Sequence, residues 1–347
     1  MKFATASAVL LAASAVSAAA TQKPLRDLAK AKDIYIGVAI GNGNLGDAKY
    51  TEIMKREFNF ITPENSMKWE AIEPKPAEFH FAQGDEIVAV AKAQKAEVRG
   101  HTLTWHSQLA PWVNSATWTK ENLTAAIERH IRATVGYYSD DLTHWDVVNE
   151  VHEDDGTPRQ SIFYKTFGNV ADYVELSFRE ARKHTTKAKL YINDYNLEGQ
   201  NVSKSDATYQ LVKKLKNKGV PIHGVGLQAH LLVGQVPTNM QATIEKFASL
   251  GVDVALTELD IRMEQPFTAE KLAQQGNDYE AVFRACLAVK RCVGITLWGI
   301  TDKYSWIPGV FPTEGSALVW DENYAAKPAY DGIVRALTTK ATKPKSR

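Results

Sequence analysis

Eight short apolar runs recur along the chain about 25 to 45 residues apart, separated by longer stretches of mixed polarity. They are Ile34–Ile40, Phe58–Pro63, Val98–Trp105, His144–Glu150, Leu190–Asn193, Val225–His230, Val252–Asp260 and Gly294–Ile300. Each has the length and the apolar, β-branched content of a buried strand. The intervening stretches carry helical spacing. The clearest spans Lys120 to Tyr138, with Leu123, Ile127, Ile131, Val135 and Tyr138 three or four residues apart and Thr119 placed to cap it. Others cover Val170–His184 and Ser205–Lys218, the latter closed by Gly219. Alternating strands and helices predict parallel βαβ units. Eight such units in about 300 residues predict a closed (β/α)8 TIM barrel, a single α/β domain, and not an open sheet.

In that fold the chemistry sits at the C-terminal ends of the strands. Two runs end in a glutamate: Trp145-Asp146-Val147-Val148-Asn149-Glu150 and Val254-Ala255-Leu256-Thr257-Glu258. Two strands of one barrel can hold such carboxylates face to face across a substrate, as hydrolysis of a glycosidic bond needs. The other ends are also polar or aromatic. Glu64, Asn65 and Lys68 follow the second run, and His101, Trp105 and His106 lie at the third. Asn193, Asp194 and Tyr195 close the fifth, Gln228 and His230 the sixth, Asp260 extends the seventh, and Trp298 the eighth. Together they describe a groove of hydrogen-bonding groups and stacking faces. The chain carries 8 Trp, 13 Tyr and 12 Phe, and neutral sugars stack on such rings.

A formal net charge of +1 gives no reason to expect nucleic acid or an anionic membrane as a partner and allows a neutral substrate. Residues 1–20 read as a secretory signal peptide. Lys2 supplies a small positive start, Val9 to Val16 is mostly apolar, and Val16-Ser17-Ala18, Ser17-Ala18-Ala19 and Ala18-Ala19-Ala20 are small-x-small cleavage sequences. The expected product is extracellular, with residues 21–347 forming one catalytic domain that ends in a short basic tail, Lys340 to Arg347. No linker or separate carbohydrate-binding module is expected, and a monomer is. In an oxidising compartment Cys286 and Cys292 favour a disulfide, two free buried thiols being the alternative. Asn122-Leu123-Thr124 and Asn201-Val202-Ser203 are N-glycosylation sequons.

Six segments resemble glycoside hydrolase family 10, the endo-β-1,4-xylanases. They are Pro63–Trp69, Gly100–His106, Trp145–Glu150, Leu227–His230, Thr257–Asp260, and Leu297–Ile300 with Tyr304-Ser305-Trp306. The resemblance covers essentially the whole mature chain and departs at no catalytic position. It implies a secreted endo-1,4-β-xylanase acting on xylan and xylo-oligosaccharides by retaining double displacement, with no cofactor or metal. Glu150 would be acid/base and Glu258 nucleophile. His230 and Asp260 would hold Glu258 as an anion, Gln228 would orient one glutamate, and Asn149 would bond the sugar 2-hydroxyl. Glu64, Asn65, Lys68, His101, Trp105, Trp298 and Trp306 would bind the sugar chain, with Tyr195 on the leaving-group side. The cysteine pair resembles a bridge of fungal-type members. The division of labour also has a chemical basis, because like-charge repulsion lets one of two neighbouring carboxyls keep a proton while the better hydrogen-bonded one stays ionised.

Three alternatives compete. A β-1,4-glucanase or dual-specificity enzyme differs by a hydroxymethyl on the substrate, which a pocket rejects only modestly unless it clashes. A barrel that merely binds polysaccharide or protein should have lost a carboxylate, and both are present. A metal-dependent barrel hydrolase wants a His-x-His near the first strand end, where Gly41-Asn42-Gly43-Asn44 stands instead.

Overall fold

The computed structural model describes residues 23–199 and 202–339. The expected signal peptide, the sequon asparagine Asn201 and the basic tail fall outside these residues.

The eight apolar runs become eight parallel strands: β1 Tyr35–Ile40, β2 Phe60–Pro63, β3 Glu97–Trp105, β4 His144–Asn149, β5 Lys189–Asp194, β6 Gly224–Leu227, β8 Asp253–Glu264 and β9 Cys292–Leu297. Each pairs in parallel with the next around a ring, and β9 closes it by pairing with both β8 and β1. The sixth run departs from expectation. It stops at Leu227, and a separate three-residue strand, β7 His230–Leu232, pairs only with β8, His230 opposite Asp260. Between them Ala229 adopts φ 61°, which interrupts the ladder. The seventh run continues four residues past Asp260, and its extension pairs antiparallel with β10 Glu314–Gly315. The segment Ile307–Gly315 contains a short helix at Ile307–Val310 and that strand.

The helices follow their apolar stripes. Lys120–Tyr137 buries Leu123, Ile127, Ile131 and Val135 completely, each worth about 2 kcal/mol relative to exposure. The Thr119 hydroxyl accepts from the Asn122 amide at 3.2 Å and so satisfies one free N–H of the first turn. Helix Val170–His184 matches its expected span. Inside the lower barrel lie the Tyr35, Phe60, His144 and Tyr191 rings, with the Arg99 guanidinium over Tyr191. Gly224 leaves space for the Tyr191 ring, and on the outer face Gly100 leaves space for the Trp145 ring beside Tyr138; any Cβ there would lie about 2.1 and 2.2 Å from ring carbon. Cys286, near the end of helix Ala269–Leu287, and Cys292, the first residue of β9, form a disulfide with Cα atoms 5.3 Å apart. Among the described residues no helix is long and apolar enough to cross a membrane.

Candidate active site

Ring closure brings the strand ends around one cleft of about 770 Å³. Of the residues expected in the site, Glu64, Asn65, Lys68, His101, Trp105, Asn149, Glu150, Tyr195, Gln228, His230, Glu258, Trp298 and Trp306 all line it. Asp260 does not; it lies fully buried behind His230. Asn122 is exposed in the first turn of its helix, away from the cleft wall.

Glu150 follows the last residue of β4 with φ 57°, a left-handed conformation uncommon for a residue with a side chain. Its backbone is held on both sides: its N–H donates to Asn193 O at 2.9 Å, and its carbonyl accepts from Arg159 Nε at 3.0 Å. Its carboxylate accepts from Trp105 Nε1 at 2.8 Å and from Gln228 Nε2 at 3.0 Å. His106 Nδ1 stands 3.8 Å away, and burial depresses the pKa of that ring.

Glu258 is more enclosed, 4% exposed. One oxygen accepts from Asn193 Nδ2 at 2.7 Å, and the other meets His230 Nε2 at 3.2 Å. The opposite nitrogen of that ring lies 3.0 Å from Asp260 Oδ1, an ion-pair contact off-line for a hydrogen bond. Asp260 Oδ2 in turn accepts from Trp306 Nε1 at 2.8 Å. Burial alone would strip the proton from His230, but the two carboxylates outweigh it and raise its pKa to about 10. The ring is therefore a cation at neutral pH, held between a carboxylate on each side. Burial likewise opposes ionisation of Glu258, yet the His230 hydrogen bond and the neighbouring His101 and His230 charges prevail, and its carboxyl titrates below the usual range.

A chain of amides joins the two glutamates. Gln228 Nε2 and Asn193 Nδ2 each face a carboxylate, so both must donate, and the atom they share, 3.3 and 2.8 Å away, must be an acceptor: Asn149 Oδ1. The opposite amide orientation would gain Asn193 O and Trp105 Nε1 but would set an NH2 group against two others. The Asn193 oxygen is occupied by the Thr257 hydroxyl.

On one wall Lys68 Nζ donates to Asn65 Oδ1 at 2.9 Å and to Gln108 Oε1 at 2.6 Å and lies 4.9 Å from the centre of the Trp105 ring. Burial pushes the Glu64 carboxyl up and the Lys68 ammonium down, each partly offset by the other's charge. His101 Nδ1 is 3.0 Å from Asp146 Oδ2, and Asp146 is clamped by Arg99 through two contacts below the cleft floor. Trp298 packs edge-on to both His101 and His230, 8% exposed.

Asn193, named among the strand ends but given no role there, is fully buried beneath the cleft, where it touches Asn149, Glu258 and Thr257. The cleft wall also contains residues that sequence reasoning left out of the site. Gln108, Asn196, Leu232, Arg262 and Phe311 complete the wall. The Arg262 guanidinium stacks 4.4 Å from the Phe311 ring centre and pairs with Glu314.

Comparison with known proteins agrees with this geometry. The family described as glycosyl hydrolase family 10 matches residues 24–336. An endo-1,4-beta-xylanase of Agaricus bisporus is 48% identical over 302 residues, covering 86% of this chain and 90% of its own. A glycosylated endo-beta-1,4-xylanase of Gloeophyllum trabeum superposes with a TM-score of 0.86 at 40% identity, covering 91% of this chain and 99% of that one. Xylanase 10B of Thermotoga petrophila, solved with xylobiose, gives 0.88 at 39% identity over 91% and 98%.

Proposed function

The chain belongs to glycosyl hydrolase family 10, and on that premise we propose that it is a secreted endo-1,4-β-xylanase cutting internal linkages of xylan with retention of configuration. The observation that carries the reading is the unequal treatment of two carboxylates in one cleft. Glu258 is backed by a protonated histidine and an asparagine and kept anionic. Glu150 faces it through the amide chain, hydrogen-bonded by indole and amide donors, with the His106 ring farther off at 3.8 Å.

In the first step Glu258 attacks the anomeric carbon while Glu150 gives its proton to the departing oxygen. The glycosidic bond breaks and an ester to Glu258 forms. In the second, Glu150, now a carboxylate, takes a proton from water as the water's oxygen displaces Glu258. Gln228 orients Glu150. His230 holds Glu258, and Asp260 acts through His230. The Asn149 amide bonds the 2-hydroxyl of the reacting sugar. Glu64, Asn65, Lys68, His101, Trp298 and Trp306 take the glycone side, with Trp105 between Lys68 and Glu150, and Tyr195 takes the leaving-group side. Xylobiose in the Thermotoga petrophila relative supports a xylo-oligosaccharide as ligand. Residues 1–20 would direct export.

Reducing-sugar release from xylan and from cellulose by the wild type and Glu258→Ala tests activity and substrate together. Strong release from xylan by the wild type alone is expected; equal release from cellulose would move the protein to the glucanases. Proton NMR of the first product tests the mechanism, for which the β-anomer is expected first and the α-anomer first would refute retention.

A further inference from the structure

Lys204 is fully buried in the first turn of helix Ser203–Asn217, and no step above uses it. An ammonium without compensation is seldom tolerated in such a place. Here it is compensated on two sides. Its Nζ lies 2.9 Å from Asp194 Oδ1, an ion pair off-line for a hydrogen bond, and 3.1 Å from the centre of the Tyr195 ring. Asp154, at 3.5 Å and mostly exposed, is a distant third partner.

Asp194, the last residue of β5, is equally buried, and it reaches toward both expected leaving-group residues. Its Oδ2 accepts from the N–H of Val151, the residue after Glu150, at 3.1 Å. Its Oδ1 accepts from the N–H of Tyr195 at 2.9 Å. Arg159 closes the same circuit from outside, donating to the Glu150 carbonyl and, at 2.8 Å, to the Tyr195 hydroxyl. The loop after β4 and the loop after β5 are thus tied through one buried cation. The Lys204 ammonium touches both the Tyr195 ring and the carboxylate holding the backbone beyond Glu150.

We propose that Lys204, paired with Asp194, is a positioning residue for the leaving-group half of the site, setting Glu150 and Tyr195 for proton donation to the departing sugar. The inference rests on the acid role given to Glu150 above. Lys204 does not reach substrate. Without its charge the Asp194 carboxyl loses its partner, the Val151 and Tyr195 amides lose a fixed acceptor, and the Tyr195 ring loses its backing. A displacement of about 1 Å at a proton donor costs on the order of a hundred-fold in rate.

The test compares two substrates that differ in their need for the acid. Cleavage of xylotetraose expels a sugar hydroxyl, a poor leaving group that needs a proton; cleavage of 2,4-dinitrophenyl xylobioside expels dinitrophenolate, which needs none. In Lys204→Met, kcat/KM on xylotetraose should fall about thirty-fold or more and on the aryl glycoside less than about three-fold, with circular dichroism unchanged. A purely structural role would lower both substrates together, so equal loss, or no loss on either, overturns the proposal. Glu150→Ala is run beside it. If Glu150→Ala shows the split and Lys204→Met does not, this inference alone falls; if Glu150→Ala shows none, the acid assignment fails and takes the inference with it. Should Lys204→Met not fold, Lys204→Met/Asp194→Asn, which removes both buried charges, is read in the same way. Failure of both variants to fold makes the pair structural and overturns the proposal.

Discussion

The charge on His230 should be visible as alkaline stability. Its ring is raised from 6.5 to about 10 by Asp260 and Glu258. The folded state thus binds this proton more tightly than the unfolded chain, and the stabilisation is complete below about pH 6.5. It is lost progressively as pH climbs toward 10. A shift of this size corresponds to about 5 kcal/mol in total, and to about 1.4 kcal/mol per pH unit across the window. In a domain this large each kcal/mol moves the melting temperature by about 2 °C. The perturbation is His230→Asn, which keeps a polar side chain and removes the titration. Thermal unfolding of both proteins at pH 7, 8 and 9 should show the wild-type advantage shrinking by about 3 °C per unit, because groups common to both proteins, including the Asp194 carboxyl that burial raises to about 7, cancel in the difference and leave His230 as the changing group. A gap that stays constant, or widens, from pH 7 to 9 would refute the reading of His230 as a buried cation.

The same geometry sets three other outcomes. Glu258→Ala should be nearly inactive on every substrate, whereas Glu150→Ala should retain its first step on an aryl glycoside and be accelerated by azide, which replaces base-assisted water; equal, unrescuable loss in both variants counts against the assigned roles. Trp306→Ala should stay folded by circular dichroism while kcat/KM on xylo-oligosaccharides falls on the order of ten-fold, and a folded, fully active variant would remove Trp306 from the site. Reduction of Cys286–Cys292 should lower the melting temperature by a few degrees, about 1–3 kcal/mol, with room-temperature activity largely kept, since so short a loop restricts the unfolded chain little. An unchanged melting temperature after complete reduction would show that the bridge contributes nothing.

The barrel and its mouth were legible in the chain because burial on both faces makes each strand a short apolar block, and the fold places its polar residues at one end of every block. Glu258 and Asp260 illustrate the reach of spacing: two residues apart on a strand, they share a face, and His230 meets both. That Asp260 reaches Glu258 only through that ring is a matter of depth, which periodicity does not encode. The break at Ala229 was hidden because the residue is apolar in an apolar run. What fixes it is the Glu198 carboxylate accepting its N–H at 2.7 Å, a contact 31 residues away in sequence. The role of Asn193 was hidden for a similar reason. At a strand end it looks like any turn-forming asparagine, and its worth comes from Glu258, 65 residues on, and Asn149, 44 residues back. Arg262 and Phe311 belong to an extension of β8 and to the end of a short helix that no apolar run announced.

The closed ring has a consequence for what a broken molecule can do. Glu64 and Lys68, Trp105, Glu150, Tyr195, Gln228, Glu258 and Trp298 belong to seven successive staves of the barrel or lie just past them, and the cleft is the space those staves enclose. Opening the ring between β9 and β1 would part the walls of that space at once, so loss of closure should abolish binding and cutting together. On the proposed function, a partly unfolded barrel should therefore not bind polymer without cutting it, and damaged copies should not block the surface for intact ones.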